Sequence, residues 1–214
     1  MILRNLIHLA VLTATLGLGA CGDGGSSGAG ATKSPASGAA ATKAPTESAP
    51  VAEAPTEASA GNMYETAAKG TGFSVGNMMA VRLVYVFFDP QCPHCGHLWE
   101  AAQPLANQVR MVWIPVGFIS AKSAPQGAAL LVSSDPAAAM TAHEKSLLAR
   151  QGGLIPPDNQ PAELLEKVKA NTKIWQQLGG ESVPMMVFKN PASGEPGKFA
   201  GAMDTASLKK LLGV

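Results

Sequence analysis

Apolar and polar positions divide the chain into two unlike parts. Leu6 to Leu18 is apolar apart from His8 and two Thr, after which the pattern lapses, and residues 22 to 60 hold no aromatic side chain. From Met63 the grammar of a folded domain begins. Met63 to Lys69 predicts a short helix ended by Gly70 and Gly72. Val81 to Phe88 (VRLVYVFF) is a continuous apolar run rich in β-branched and aromatic residues, which predicts a central strand buried on both faces. Gln91 to about Val109 predicts a helix with Cys92 at its N-cap, Pro93 at the first helical position and Pro104 as an internal kink. Val109 to Ile119 is a second apolar strand interrupted by Pro115, and Lys122–Val132, Pro136–Arg150 and Pro161–Leu178 are helical segments. Met185–Lys189 and Lys198–Gly201 predict a hairpin around the turn residues 190 to 197, and Thr205–Leu212 a terminal helix. Strand, helix, strand, helices, two strands, helix is the order of an α/β sandwich with a helical insertion at about 121–180.

The N-terminal part reads as targeting and spacing. Arg4 followed by about 13 apolar residues has the layout of a secretory signal. It falls short of the roughly 20 residues that a membrane-spanning helix needs. Leu18-Gly19-Ala20-Cys21 then resembles the lipobox of bacterial lipoproteins, which implies that residues 1–20 are removed and that Cys21 carries the lipid. Two or more hydrocarbon chains, at about 0.8 kcal/mol per buried CH₂, anchor a protein stably. Gly22 after the cysteine, with Asp23 only next, favours the outer membrane. Of the 39 residues from 22 to 60, 32 are Ala, Gly, Ser, Pro or Thr. Such a segment cannot bury enough apolar area to offset its ordering entropy, so residues 21–62 are expected to be a lipidated, disordered tether.

Charge and composition narrow the function. The chain has 16 Lys+Arg against 15 Asp+Glu, a net charge of +1, which supplies no electrostatic footprint for nucleic acid. All eleven aromatic residues lie between Tyr64 and Phe199, so one domain of roughly 130 to 150 residues is expected. The three cysteines stand at 21, 92 and 95.

Cys92-Pro93-His94-Cys95 carries the chemistry. In C-x-x-C at a helix start, the first sulfur meets free N–H groups and the positive end of the macrodipole, which stabilise a thiolate. The second lies one turn deeper. Cys92 is therefore expected to be the exposed, low-pKa nucleophile and Cys95 the shielded, resolving thiol, with Pro93 and His94 tuning the pair. Haem attachment is excluded because Gly96 follows Cys95. A zinc site from Cys92, His94, Cys95 and His97 would crowd four ligands into six residues with no second cysteine pair. A purely structural bridge across two residues would constrain little. No metal and no cofactor are expected beyond the redox-active Cys92–Cys95 disulfide itself. Leu98 and Trp99 are expected in the core, His97 on the helix surface, and His143, Glu144 and Lys145 in a solvated helical patch. Asp89 is open to two readings, a proton-transfer group or the turn-former of an Asp-Pro pair.

The stretch VYVFFDPQCPHCGHLW, with a proline nine residues beyond the second cysteine, resembles the catalytic domain of the DsbC and DsbG family of periplasmic thiol-disulfide oxidoreductases, the DsbG branch above all. The likeness runs from about residue 63 to the end. It implies a thioredoxin-like fold, with residues 63–80 as a linker helix and the loop leading into a catalytic domain at 81–214. Ser182-Val183-Pro184-Met185-Met186-Val187 resembles the family's cis-proline loop, which assigns Val183 and Pro184 to the substrate groove. Two departures matter: the tether stands where the family has a dimerisation domain, and Pro-His with Val before the proline resembles the oxidising DsbA. The resemblance implies exchange of disulfides with periplasmic protein thiols and recycling by a membrane redox partner, and the first departure, a tether without the apolar content to fold, makes a membrane-tethered monomer the expectation. A reductase of sulfenylated or misbridged cysteines is the alternative, and a tethered metallochaperone-like module the non-enzymatic one.

Overall fold

The computed structural model describes residues 63–214; the signal segment, Cys21 and the expected tether lie outside them. Residues 63–67 are helical and residues 68–69 form a turn. The strands are β1 (Phe73–Gly76), β2 (Arg82–Phe88), β3 (Val109–Pro115), β4 (Met185–Lys189) and β5 (Pro196–Ala200). The longer helices are α1 (Pro93–Ala102), α2 (Ser123–Leu131), α3 (Pro136–Leu148), α4 (Ala162–Gln177) and α5 (Thr205–Leu212). The five strands form one sheet in the order β1-β3-β2-β4-β5. β2 runs parallel to β3, and the other neighbouring pairs are antiparallel.

The continuous apolar run of β2 is explained by its place between β3 and β4, where Val84 pairs with Met111 on one side and Phe188 on the other. A strand paired on both edges and covered on both faces has no polar side to show. Phe87 and Phe88 are wholly buried, and Phe88 and Trp99 each meet Trp113 edge-on at 5.7 and 4.9 Å. Helix α1 packs against α3 and α5, and α2 against α4. The insertion is thereby tied to both the sheet and the helix that begins at Pro93.

Three expectations are corrected. Phe73–Gly76, read as part of a leading loop, is an edge strand antiparallel to β3, and Ala67 and Phe73 belong to the core. The four residues Phe73–Gly76 are too few to show a period. Gly76 is needed at that strand's end: its φ is +101°, and a β-carbon there would collide with the Val109 carbonyl. Pro104 does not kink a long helix. The α-helix stops at Ala102, and Gln103–Leu105 continue as a 3₁₀ turn, since proline cannot donate to the carbonyl one turn back. The third strand ends at Pro115 rather than Ile119, because residues 116–119 turn away to meet Asp89.

Candidate active site around Cys92

Cys92 is the N-cap of α1, with extended backbone (φ −98°, ψ 110°) and Pro93 as the first helical residue. Its own N–H bonds the Asp89 carbonyl at 2.9 Å, and the Cys95 N–H bonds the Cys92 carbonyl at 3.0 Å. Asp89 sets this corner. Wholly buried, it accepts from Gln91 N at 2.9 Å through Oδ1 and from Phe118 N and Ile119 N at 2.9 and 3.0 Å through Oδ2. Of its two readings the structure displays the turn-former, holding the end of β2 to the loop after β3.

Both cysteines are thiols. Cys92 is 5% exposed and Cys95 wholly buried. The expectation of an openly exposed Cys92 is therefore corrected: the loop before β4 lies over it, and the Cys92 thiol donates to the Val183 carbonyl at 3.4 Å. The Val183–Pro184 peptide is cis, and both residues are buried. The structure thus brings Cys92, Cys95, Val183 and Pro184 together across 91 residues of chain, with Pro93 and His94 exposed beside them.

The electrostatics of the two sulfurs are opposite. The Cys92 thiol is lowered to about 6, first by a hydrogen bond from Cys95, then against its own burial by the backbone N–H groups of Cys95 and His94, and last by the His94 charge. Burial first, then the Cys92 interaction, push the Cys95 thiol well above the ordinary range. Charge on His94, assigned the tuning role from sequence, is the smallest of these influences.

The expected solvated patch on α3 is corrected for His143 and Glu144, while Lys145 is exposed as expected. His143 and Glu144 are 0% and 1% exposed, because this face of α3 packs on α1. His143 Nδ1 accepts from Leu154 N at 3.0 Å while Nε2 lies 2.7 Å from the Pro90 carbonyl, a pair of contacts that places the proton on Nε2 and keeps the ring neutral. Burial lowers its pKa accordingly. Gln126 joins the same bracket: its Oε1 accepts from Gln91 at 2.6 Å, and its Nε2 donates to Gly152 O and Leu154 O at 2.8 Å each. None of His143, Glu144 or Gln126 could be placed from sequence, since each sits at a helical position that spacing alone assigns to solvent. Leu98 and Trp99 are in the core, and His97 is exposed, 3.8 Å from Glu100. Among the described residues, no group of three or more His, Cys, Asp or Glu is placed to hold a metal ion, and no helix is long and apolar enough to cross a membrane.

No family model matches the chain. Among curated proteins it is 31% identical over 156 residues to the thiol:disulfide interchange protein DsbG of Pseudomonas aeruginosa, covering 72% of this chain and 60% of that one. To DsbG of Escherichia coli it is 32% identical over 118 residues, covering 53% of this chain and 46% of that one. The chain therefore matches about half to three fifths of the length of these relatives. Among solved structures, the catalytic domain of Proteus mirabilis ScsC superposes with a TM-score of 0.58 at 17% identity, over 73% of this chain and 96% of that domain. In sequence the protein is DsbG-like, and in fold it is thioredoxin-like.

Proposed function

We propose that this protein is a thiol-disulfide oxidoreductase that exchanges disulfides with protein substrates through Cys92 and Cys95, tethered by a lipid on Cys21 to the periplasmic side of a bacterial membrane, the outer one in preference. The observation that carries the reading is the split pair: a sulfur lowered to about 6 at a helix start, under the carbonyl before a cis-proline, with a second thiol of raised pKa buried behind it. Similarity to the DsbG proteins supports it.

In the disulfide form, a substrate thiolate attacks Cys92 Sγ, the Cys92–Cys95 bond breaks and Cys95 leaves. A second substrate thiol then attacks the mixed disulfide and Cys92 leaves as thiolate. The substrate loses two electrons and the cysteine pair gains them. Because the reduced form contains a stabilised thiolate, the pair holds electrons readily and the net direction is donation of disulfides. Loss of the Cys92 proton also releases the Val183 carbonyl, freeing it to accept from a substrate backbone N–H. A membrane redox partner reoxidises the pair, and no bound cofactor takes part.

Trapping tests this. The Cys95→Ser variant accumulates a mixed disulfide between Cys92 and a substrate peptide, and Cys92→Ser forms none. Equal trapping at both positions, or none with Cys92 present, refutes the reading. Release of a Cys21→Ser protein from the membrane fraction tests the anchor separately.

A further inference from the structure

Large apolar side chains are exposed at both ends of the sheet, and disulfide exchange accounts for one set alone. Phe118 and Ile119 follow β3 at the cysteine end, where Asp89 holds their N–H groups and a substrate would lie beside them. Met78, Met79 and Val81 precede β2 at the opposite end, 55%, 89% and 95% exposed. The seven residues of β2, about 20 Å of strand, separate them from the corner that carries Cys92. The turn that presents them is fixed. Asn77 N donates to Val109 O at 3.0 Å and Asn77 Nδ2 to Asn107 O at 3.2 Å, while Met79 N and Ala80 N each donate to Asn77 at 2.9 Å. Single exposed apolar residues are ordinary on a protein surface, but three within four consecutive positions on a fixed turn mark a contact.

We propose that Met78, Met79 and Val81 dip into the surface of the bilayer that holds the lipid of Cys21, so that the domain sits on that membrane with Cys92 turned away from it. The inference rests on the lipid-anchor reading. The chain enters the described domain at the end where the tip lies: the Tyr64 hydroxyl donates to Leu83 O at 3.2 Å, and Tyr64, Val81, Arg82 and Lys189 line one cleft of about 160 Å³. From there it climbs to Gly70, which lies against Ile114 near the far end of β3. Residues 22–62, as the expected tether, span about 35 Å on average if flexible, and they join the domain on the side of the tip. Tethering at such a distance keeps the tip at high effective concentration beside the bilayer, so weak insertion suffices.

Charge and side-chain type favour a bilayer as the occupant. Arg82 and Lys189 stand in the cleft beside Val81, with Lys189 Nζ 5.0 Å from the centre of the Tyr64 ring. Lys209 and Lys210 occupy the last turn of α5, and Gly213 just beyond it lies against Pro191 of the same cleft. Against these cations stand Glu65 and Glu195, so the balance of side chains at this end is basic and suits anionic headgroups. Methionine is unbranched and adapts to a surface without fixed shape. A protein that exchanges electrons with this one must reach Cys92, and to touch the tip as well it would have to span the whole strand.

The test uses the full lipidated chain on vesicles of phosphatidylethanolamine and phosphatidylglycerol whose acyl chains carry bromine. Two exposed positions receive a tryptophan in separate variants, Met79→Trp at the tip and Ile119→Trp at the cysteine end. Bromine should quench the added emission of Met79→Trp at least about threefold more than that of Ile119→Trp, since only the tip enters the outer 5–10 Å or so of the acyl region. Equal quenching overturns the proposal. So does a blue-shifted tip emission that bromine leaves unchanged, the result expected if a second copy of the chain covers the tip. Hydroxyl-radical labelling repeats the test with the tip unaltered: relative to Ile119, Met79 and Val81 should be labelled at least about threefold less in the vesicle-bound native chain than in the Cys21→Ser chain free in solution. The same ratio in both overturns the proposal as well. Lipid present on Cys21 with an unquenched tip refutes the docking alone, whereas a chain without lipid on Cys21 refutes the anchor reading and this inference with it.

Discussion

The pH dependence of Cys92 reactivity can be worked from its lowered pKa. A thiol at about 6 is half thiolate at pH 6, where one at 9.0 is about 0.1% ionised, an advantage of about 500-fold. At pH 8 the fractions are about 99% and 9%, an advantage of about 11-fold. Nucleophilicity falls with pKa at a slope of about 0.5, so a thiol whose pKa lies about 3 lower loses roughly 30-fold at every pH. Against a reference thiol of pKa 9, Cys92 should thus alkylate about 15 times faster at pH 6 and more slowly above about pH 7.5. Burial under Val183 reduces all these rates by a common factor, so the cleaner quantity is the change in the ratio, a fall of about 45-fold from pH 6 to pH 8. The assay is competitive iodoacetamide labelling of the reduced protein, with each cysteine quantified by mass spectrometry. Label should appear on Cys92 well before Cys95. A ratio that changes less than about fivefold, or equal labelling of the two sulfurs, would show that the helix start and the Cys95 hydrogen bond do not hold a thiolate. Cys95→Ala should raise the midpoint more than His94→Gly does, since Cys95 supplies the largest lowering influence and the His94 charge the smallest.

Four further outcomes follow from the packing. Glu144 has a folded pKa raised from 4.5 to about 9, so its contribution is neutral below about pH 4.5 and increasingly unfavourable as pH rises towards 9. Urea unfolding should therefore show Glu144→Gln matching the native protein at pH 4 and exceeding it by a few kcal/mol at pH 8, since the difference grows by at most about 1.4 kcal/mol for each step of one in pH; equal stabilities at both would contradict the burial. Gly96→Ala, which helix propensity alone would favour by about 1 kcal/mol, should instead destabilise by about 1–3 kcal/mol because the new methyl meets Glu144 and Leu148, as thermal unfolding would report. Asp89→Ala leaves the N–H groups of Gln91, Phe118 and Ile119 without their acceptor and should cost about 3 kcal/mol or more in the same measurement. A version beginning near Gly61 should sediment as a monomer and refold scrambled disulfides slowly while keeping peptide thiol exchange; a dimer with strong isomerase activity would remove the tethered-monomer reading.

The sequence by itself determined the layout of the domain, because its signals were local. The apolar run from Leu83 to Phe88, rich in β-branched and aromatic residues, reads as a strand with neighbours on both sides, and Cys92-Pro93 at a helix start is legible because proline suits the first helical turn. Element starts marked by such signals came within a residue or two of the observed ones, as with Thr205–Leu212, whereas the helix expected to reach Val109 stops at Ala102 and the strand expected to reach Ile119 stops at Pro115. The tertiary structure decided what lies inside. Phe73–Gly76 is a strand only because β3 offers it an edge, and four residues carry no period of their own. The cover over Cys92 comes from Val183, and the polar groups behind the cysteines, His143, Glu144 and Gln126, come from helices 30 to 50 residues away in the chain. Polar residues on a helix of weak amphipathicity look solvated in one dimension. Whether they are depends on which face meets a neighbour, and here the missing side chain of a glycine on the other helix, Gly96, leaves room for the Glu144 carboxyl against the active-site helix.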